Sequence, residues 1–170
     1  MSKPPKRELT AERLRELLSY DPDSGLFTRL KQTAPHKGLA GSIAGCLNDH
    51  GYVLISVESH QYRAHRLAWL YMTGSWPEHE VDHINGQRDD NRWCNLRDVP
   101  RTINGQNKRR AQRNSRTGLL GACWVTRDQT FVARIKVDGR YRSRGAFDSA
   151  EQAHQAYGDA KRRLHAGCTI

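Results

Sequence analysis

Between Lys108 and Arg116 the chain carries five cations, Lys108, Arg109, Arg110, Arg113 and Arg116, and no acid. Such a run cannot be buried in an apolar interior, so it reads as a linker, or as a helix end running into a linker. With 170 residues, 36% of them apolar, the chain has length for one ordinary domain or two small ones and enough apolar residues for small cores. The net charge of +10 points to a polyanion as partner. Nucleic acid comes first. An anionic membrane comes second, but it calls for a basic amphipathic helix with a broad apolar face, and no strong one is found. No run of apolar residues is long enough to span a bilayer, so no membrane partner is expected. The basic start, Met1 to Arg7, lacks the apolar segment that a secretory signal needs.

Cys46, Cys94, Cys123 and Cys168 form no CxxC pair and no zinc-knuckle spacing. They read as reduced, partly buried thiols, in keeping with a cytoplasmic location. A helix is expected over 9–18, with Thr10 as N-cap and Leu9 and Leu14 as a hydrophobic staple. The turn signal Asp21-Pro22-Asp23-Ser24-Gly25 follows, then a strand over 26–30. Residues 52–57 read as a strand, and 64–72 as a helix stopped by Gly74 and Pro77. Residues 78–108 are dense in Asp, Asn and His and show little periodicity.

Residues 118–168 pattern as a small α+β unit. Strands are expected over 121–126, 130–137 and 140–147, with Asp138-Gly139 as the last hairpin turn. Ser149 and Gln152 form a capping box for a helix with an alanine-rich face, ended by Gly167. Arg140, Arg142 and Arg144 alternate along the third strand, as Arg134 and Lys136 do along the second. The expectation is five cations on one face, where a β-ribbon entering the major groove would present them. RNA ranks below duplex DNA because no exposed aromatics are expected on that face.

Gly121-Ala122-Cys123-Trp124, Phe131-Val132-Ala133-Arg134-Ile135, Gly145-Ala146-Phe147-Asp148, Ala150-Glu151-Gln152-Ala153 and Ala156-Tyr157 resemble an AP2-type DNA-binding domain. Phe131 stands where many members carry Trp. The resemblance implies a three-stranded sheet packed on one helix. It makes Trp124, Arg127, Arg134, Lys136, Arg140, Arg142 and Arg144 candidate DNA contacts, with Lys108, Arg109, Arg110 and Arg113 of the linker as phosphate contacts.

Val81-Asp82-His83-Ile84-Asn85-Gly86 carries the chemistry. Phosphodiester hydrolysis needs a group to activate water and a counter-charge for the phosphate and the leaving oxygen. A neutral histidine serves the first and a divalent metal on hard oxygen ligands the rest. Adjacent residues of a strand point to opposite faces, so Asp82 and His83 share a site only if the strand ends or twists there. The Asn85-Gly86 turn allows this, and Asn91, Asn95, Asn104 and Asn107 offer further oxygens. An Asp-His pair by itself is common in loops.

The longer string is more specific. Arg63-Ala64-His65-Arg66-Leu67-Ala68-Trp69, Val81 to Gly86, Asp90-Asn91, Asn95-Leu96-Arg97 and Ile103-Asn104 resemble the HNH nucleases of the phage and intron-encoded homing type. That family implies a ββα-metal motif over about 78–108. In it Asp82 is a metal ligand, His83 the general base, and Asn95 the middle asparagine that braces the loop or orients His83. Asn104 is the second metal ligand. One Mg²⁺ or Mn²⁺ is implied, and zinc suits an oxygen site less well. Gly105 weakens a helix at Asn104, although Pro100 could open one. Were the segment a turn, Asn107 would be the rival ligand. His65 is either an active-site neighbour or a structural histidine at a helix start. Arg66 and Arg97 touch phosphate or pair with carboxylates. Trp69 and Trp93 read as core.

The expectation is therefore an HNH nuclease domain over 1–108, a basic linker over 109–117 and an AP2-like domain over 118–168. The implied function is a metal-dependent endonuclease on double-stranded DNA, acting as a monomer, with a dimer as one route to a double cut. Its setting would be a bacterial cytoplasm if the chain is phage-encoded. The competing reading is an AP2-like regulator with an inactive nuclease domain.

Overall fold

The computed structural model describes residues 8–32 and 39–169, so the basic N-terminal heptad lies outside the described residues. The fold is mixed α+β. Contacts divide the chain into two compact units, 1–99 and 100–170. The division falls earlier than the expected boundary at 108.

The first unit opens with helix α1 (Ala11–Leu17). Thr10 caps it, its hydroxyl accepting from the Arg13 amide at 3.2 Å, while Leu9 and Leu14 are both buried. Strands β1 (Leu18–Tyr20) and β2 (Phe27–Arg29) form an antiparallel pair around the Asp21–Gly25 turn. The helix is shorter than its apolar pattern suggests because Leu18 and Tyr20 bury as alternate residues of a strand. A three-stranded antiparallel sheet follows, with β4 (Val53–Val57) between β3 (Cys46–Leu47) and β5 (His60–Arg63). Helix α2 (Ala64–Thr73) ends on Gly74 in the left-handed conformation. Leu14, Leu18, Phe27, Ile55, Leu67 and Leu70 are fully buried and form the core. Each contributes about 1.5–3 kcal/mol of burial. Trp69 and Trp93 pack partly buried against this core, ring to ring at 5.1 Å.

Strands β6 (Glu80–His83) and β7 (Leu96–Val99) then pair antiparallel, with Asp82 opposite Arg97 and His83 opposite Leu96. A single 3-10 turn, Trp93–Asn95, leads into β7. These strands lie in the segment whose periodicity was too short to register in the sequence.

The second unit begins with helix α3 (Arg101–Gln106), opened by Pro100. Asn104 lies within this helix despite Gly105. Strands β8 (Ala122–Val125), β9 (Thr130–Val137) and β10 (Arg140–Phe147) form an antiparallel sheet with β9 in the middle. Helix α4 (Ala150–Leu164) packs on it. The Ser149 hydroxyl accepts from the Gln152 amide at 3.2 Å, as the capping box requires. Ala153, Tyr157 and Ala160 of α4 meet Ala122, Ala133 and Ile135 of the sheet.

Gly167 does not end α4 as expected, since the C-cap is His165. Its amide donates to the Gln106 carboxamide at 3.0 Å, and a Cβ there would lie 2.3 Å from the Ile103 carbonyl oxygen. Glycine is needed for close approach to α3. The Lys161 ammonium donates to the Lys108 carbonyl, and Arg109 donates to the Thr169 carbonyl at 2.9 Å. The C-terminal end of the chain thus holds α3 and the start of the basic run, which explains why 100–108 group with the second unit. No helix among the described residues is long and apolar enough to cross a membrane. All four cysteines are free thiols; Cys46 and Cys94 are exposed, so burial holds only for Cys123 and Cys168, in part.

Candidate active site

Strand β6 ends at His83, and the Gly86 amide donates to the His83 carbonyl at 2.8 Å to close the turn. Asp82 and His83 are both buried. Arg97 donates to Asp82 Oδ2 twice, from Nε at 3.0 Å and Nη2 at 2.8 Å. The pairing follows from their opposed positions in the β6–β7 ladder. It places Arg97 on a carboxylate, one of the two roles considered for it. The other undecided cation, Arg66, lies over the Trp76 ring at 5.6 Å.

His83 is oriented by Asn91. Its Nε2 lies 3.3 Å from Asn91 Oδ1. The carboxamide direction is set by its other end, because Nδ2 donates to the Asp89 carbonyl at 3.0 Å. Oxygen therefore faces the ring, which favours the tautomer with the proton on Nε2. Asn91 is itself buried and anchored through its backbone, where the Tyr20 hydroxyl donates to its carbonyl at 2.6 Å. Gly25, at φ +75°, presses on the same backbone: a Cβ there would lie 2.4 Å from the Asn91 carbonyl carbon. The Asp21–Gly25 turn of the sequence thus fixes the residue that orients His83.

Asn95 braces the loop. Its Oδ1 accepts from the Asn85 amide at 2.9 Å and its Nδ2 donates to the Asp90 carbonyl at 2.7 Å. Of the two tasks expected of it, bracing is the one these bonds perform, and Asn91 contacts the imidazole instead. Asp90 completes the loop, accepting from Arg92 and from Asn85 Nδ2 at 2.6 Å. The Arg92 guanidinium holds its carboxyl down at about 2. Burial lowers the pKa of His83, opposed by the Asn91 hydrogen bond and by the charges of Asp82, Asp90 and Asp89. A neutral imidazole is what a general base requires.

His65 lies edge-on to His83, ring centroids 4.9 Å apart, with Tyr52 5.4 Å from His65. It is buried, and its Nδ1 has no hydrogen-bond partner among the described residues. Burial first, then the charges of His83, Arg63 and Arg66, push its pKa down to about 3.

Asn104 and Asn107 stand in different surroundings. Asn107 is buried, and its Oδ1 accepts from the Thr169 hydroxyl. Asn104 is half-buried within α3. Among the described residues no group of three or more His, Cys, Asp or Glu side chains is arranged to hold a metal. The Asp82 carboxylate and the carboxamides of Asn91, Asn95, Asn104 and Asn107 offer hard oxygens, a donor type that would fit Mg²⁺ or Mn²⁺ and suit zinc poorly.

The cationic face of the second unit needs correction. The two-residue turn at Asp138-Gly139 pairs Val137 with Arg140, so Lys136 faces Tyr141, Ile135 faces Arg142 and Arg134 faces Ser143. Opposed residues share a face. Arg140 and Arg142 therefore belong to the face of the buried Ile135, while Arg134 and Lys136 are on the other. Arg144 sits at a register shift between Ser143 and Ala146. The five cations do not form one face, although all five are exposed. Tyr141 is 74% exposed with the Lys136 ammonium 5.7 Å from its ring centre, so the expected lack of exposed aromatics was also wrong. Trp124 is exposed at the margin and packs on Phe131 at 4.8 Å. Arg127 is exposed and pairs with Asp128. Lys108, Arg109, Arg110 and Arg113 are all exposed.

Residues 62–106 match the family model of HNH endonucleases. The match begins just before α2 and runs through Asp82, His83, Asn91, Asn95 and Asn104. No curated protein shows a significant match to the chain. A solved structure of the HNH homing endonuclease I-HmuI, described for its DNA binding and cleavage, is similar at 21% identity. The alignment covers 89% of this chain and 88% of that one, with a TM-score of 0.42.

Proposed function

We propose that this protein is a metal-dependent endonuclease that hydrolyses phosphodiester bonds in double-stranded DNA. The observation that carries the reading is the state of His83 within the HNH-matching segment. It is buried, kept neutral by that burial, and its Nε2 is met by the Asn91 carboxamide. His83 takes a proton from water, and Asn91 holds the ring as the charge forms. Asn95 keeps the Asn85–Asp90 loop closed around it.

Asp82 is the first metal ligand. Asn104 is the second, as the resemblance to the family motif implies. A bound Mg²⁺ or Mn²⁺ would offset charge on the phosphate and ease departure of the sugar oxygen. Arg97, doubly bonded to Asp82 Oδ2, orients the carboxylate. DNA is held by the second unit, an AP2-like reading module in which the exposed Arg134 and Lys136, on the sheet face away from α4, contact the duplex. Lys108, Arg109, Arg110 and Arg113 contact phosphate.

The test is conversion of supercoiled plasmid to nicked or linear form by the purified protein with Mg²⁺ or Mn²⁺. Cleavage that stops on addition of EDTA and returns with excess metal is expected. A protein that shifts DNA on a gel and never cuts it with either metal would be the regulator with an inactive nuclease domain.

A further inference from the structure

Two arginines share one aromatic ring beside His83. The Arg63 guanidinium lies 4.7 Å from the Tyr52 ring centre and that of Arg88 lies 5.0 Å from it. The same ring is 6.2 Å from His83 and 5.4 Å from His65. Neither arginine is ion-paired with a carboxylate among the described residues. Arg88 is instead steered by its Nη1, which donates to the His50 carbonyl at 2.9 Å. Two like charges gathered on one ring repel each other, and stacking returns only about 0.5–1 kcal/mol each at an exposed site.

The position of Arg63 adds an independent sign. It is the N-cap residue of α2, a ten-residue helix with no side-chain cap hydrogen bond and no acid in its first turn. Arg66 follows within that turn. The first amides of a helix and its dipole favour an anion, so cations are unfavourable there in isolation. Capping residues and acids are the usual solution. This helix start has neither, and it sits with two unpaired guanidiniums one ring away from His83.

We propose that Arg63 and Arg88, stacked on Tyr52 and backed by the start of α2, form a subsite for a backbone phosphate of the DNA strand. That phosphate neighbours the one being cut. The assignment rests on the endonuclease reading for its ligand. Tyr52 acts as a fixed platform: it holds both planar cations so that their N–H groups meet phosphate oxygens with little loss of freedom. The subsite would set which internucleotide bond comes to rest against His83.

The experiment uses the full chain with His83→Ala, so that binding is read without cleavage, and measures affinity for a fluorescent 30-base-pair duplex over a range of salt. Each phosphate contact contributes about 0.9 to the slope of log affinity against log salt. Arg63→Gln and Arg88→Gln should each reduce the slope by about one and weaken binding about fivefold at 0.15 M salt. Tyr52→Leu, which keeps both charges, should weaken binding as well. Arg13→Gln, whose guanidinium is paired with Glu16 and Glu58, should change nothing. Slopes equal to that of the His83→Ala parent for both arginine variants would overturn the subsite. Should Arg63→Gln fail to fold, as judged by circular dichroism, Arg88→Gln on the exposed loop carries the test. The two readings fail separately: reduced slopes with a wild type that never nicks DNA would keep the subsite and remove the nuclease. Nicking with unchanged slopes would do the reverse.

Discussion

Replacing Asn91 with leucine isolates the orientation of His83 from its presence. The side chain is buried and makes two hydrogen bonds, to His83 Nε2 and to the Asp89 carbonyl. Leucine fills a similar volume and makes neither. Leaving a buried donor or acceptor unpaired costs about 1–3 kcal/mol. With two such groups, partly offset by the added apolar burial, the loss of stability is about 2–4 kcal/mol. A domain stable by about 5–15 kcal/mol survives this. The catalytic effect is separate. Without an acceptor at Nε2 the proton is no longer held there, and the ring loses its fixed direction. Loss of a partner that orients a functional histidine costs about 10–100-fold. The variant should therefore show kcat lower by about that factor, with KM little changed because no DNA contact is touched. Plasmid nicking under steady-state conditions reads both. Long-range ¹H–¹⁵N spectra of the imidazole read the tautomer directly. They should show the Nε2–H form in the wild type and a mixture in Asn91→Leu. An unchanged kcat in a folded variant, or a wild-type His83 carrying its proton on Nδ1, would refute the reasoning.

Four further outcomes are expected. His65 is held near pKa 3 when folded and titrates near 6.5 when unfolded, so between those values the unfolded chain binds more protons. Its contribution is fully present above pH 6.5 and is lost as pH falls toward 3, at up to about 1.4 kcal/mol per pH unit. Urea melts between about pH 4 and 6 should show a flatter dependence for His65→Phe, and identical slopes would contradict the assignment. Asn95→Ala removes both braces of the Asn85–Asp90 loop and should cost about 1–3 kcal/mol of stability along with activity; a fully stable variant would show the brace to be dispensable. Asn104→Ala should raise the metal concentration needed for cleavage. Asn107→Ala, which breaks the tie to Thr169, should lower the melting temperature and leave metal dependence alone; the reverse pattern would exchange their roles.

Much of the fold could be read from local signals. Thr10, Gly74 and the Ser149–Gln152 box mark helix ends where they occur, because capping is decided by residues within a few positions. Strands β9 and β10 have the expected bounds, being long enough to show alternation. Short strands were missed. β1 continues an apolar run that also suits a helix, and β6 and β7 are only four residues each. The split of the cationic face follows from turn geometry. A two-residue turn at Asp138-Gly139 already sets Val137 opposite Arg140, and that offset separates Arg134 and Lys136 from Arg140 and Arg142. The part played by Asn91 was not visible, since it depends on a carboxamide direction fixed by Asp89 and on backbone contacts from Tyr20 and Gly25, far away in the sequence.

The central claim is that His83 performs the chemistry and that DNA is held by other groups. It is tested most directly by following cleavage and DNA affinity together for the wild type and His83→Ala, with Mg²⁺ present. The account predicts a loss of cleavage of at least about 100-fold, as removal of a general base brings, with duplex affinity within about twofold of the wild type. Equal cleavage by the two proteins would contradict it.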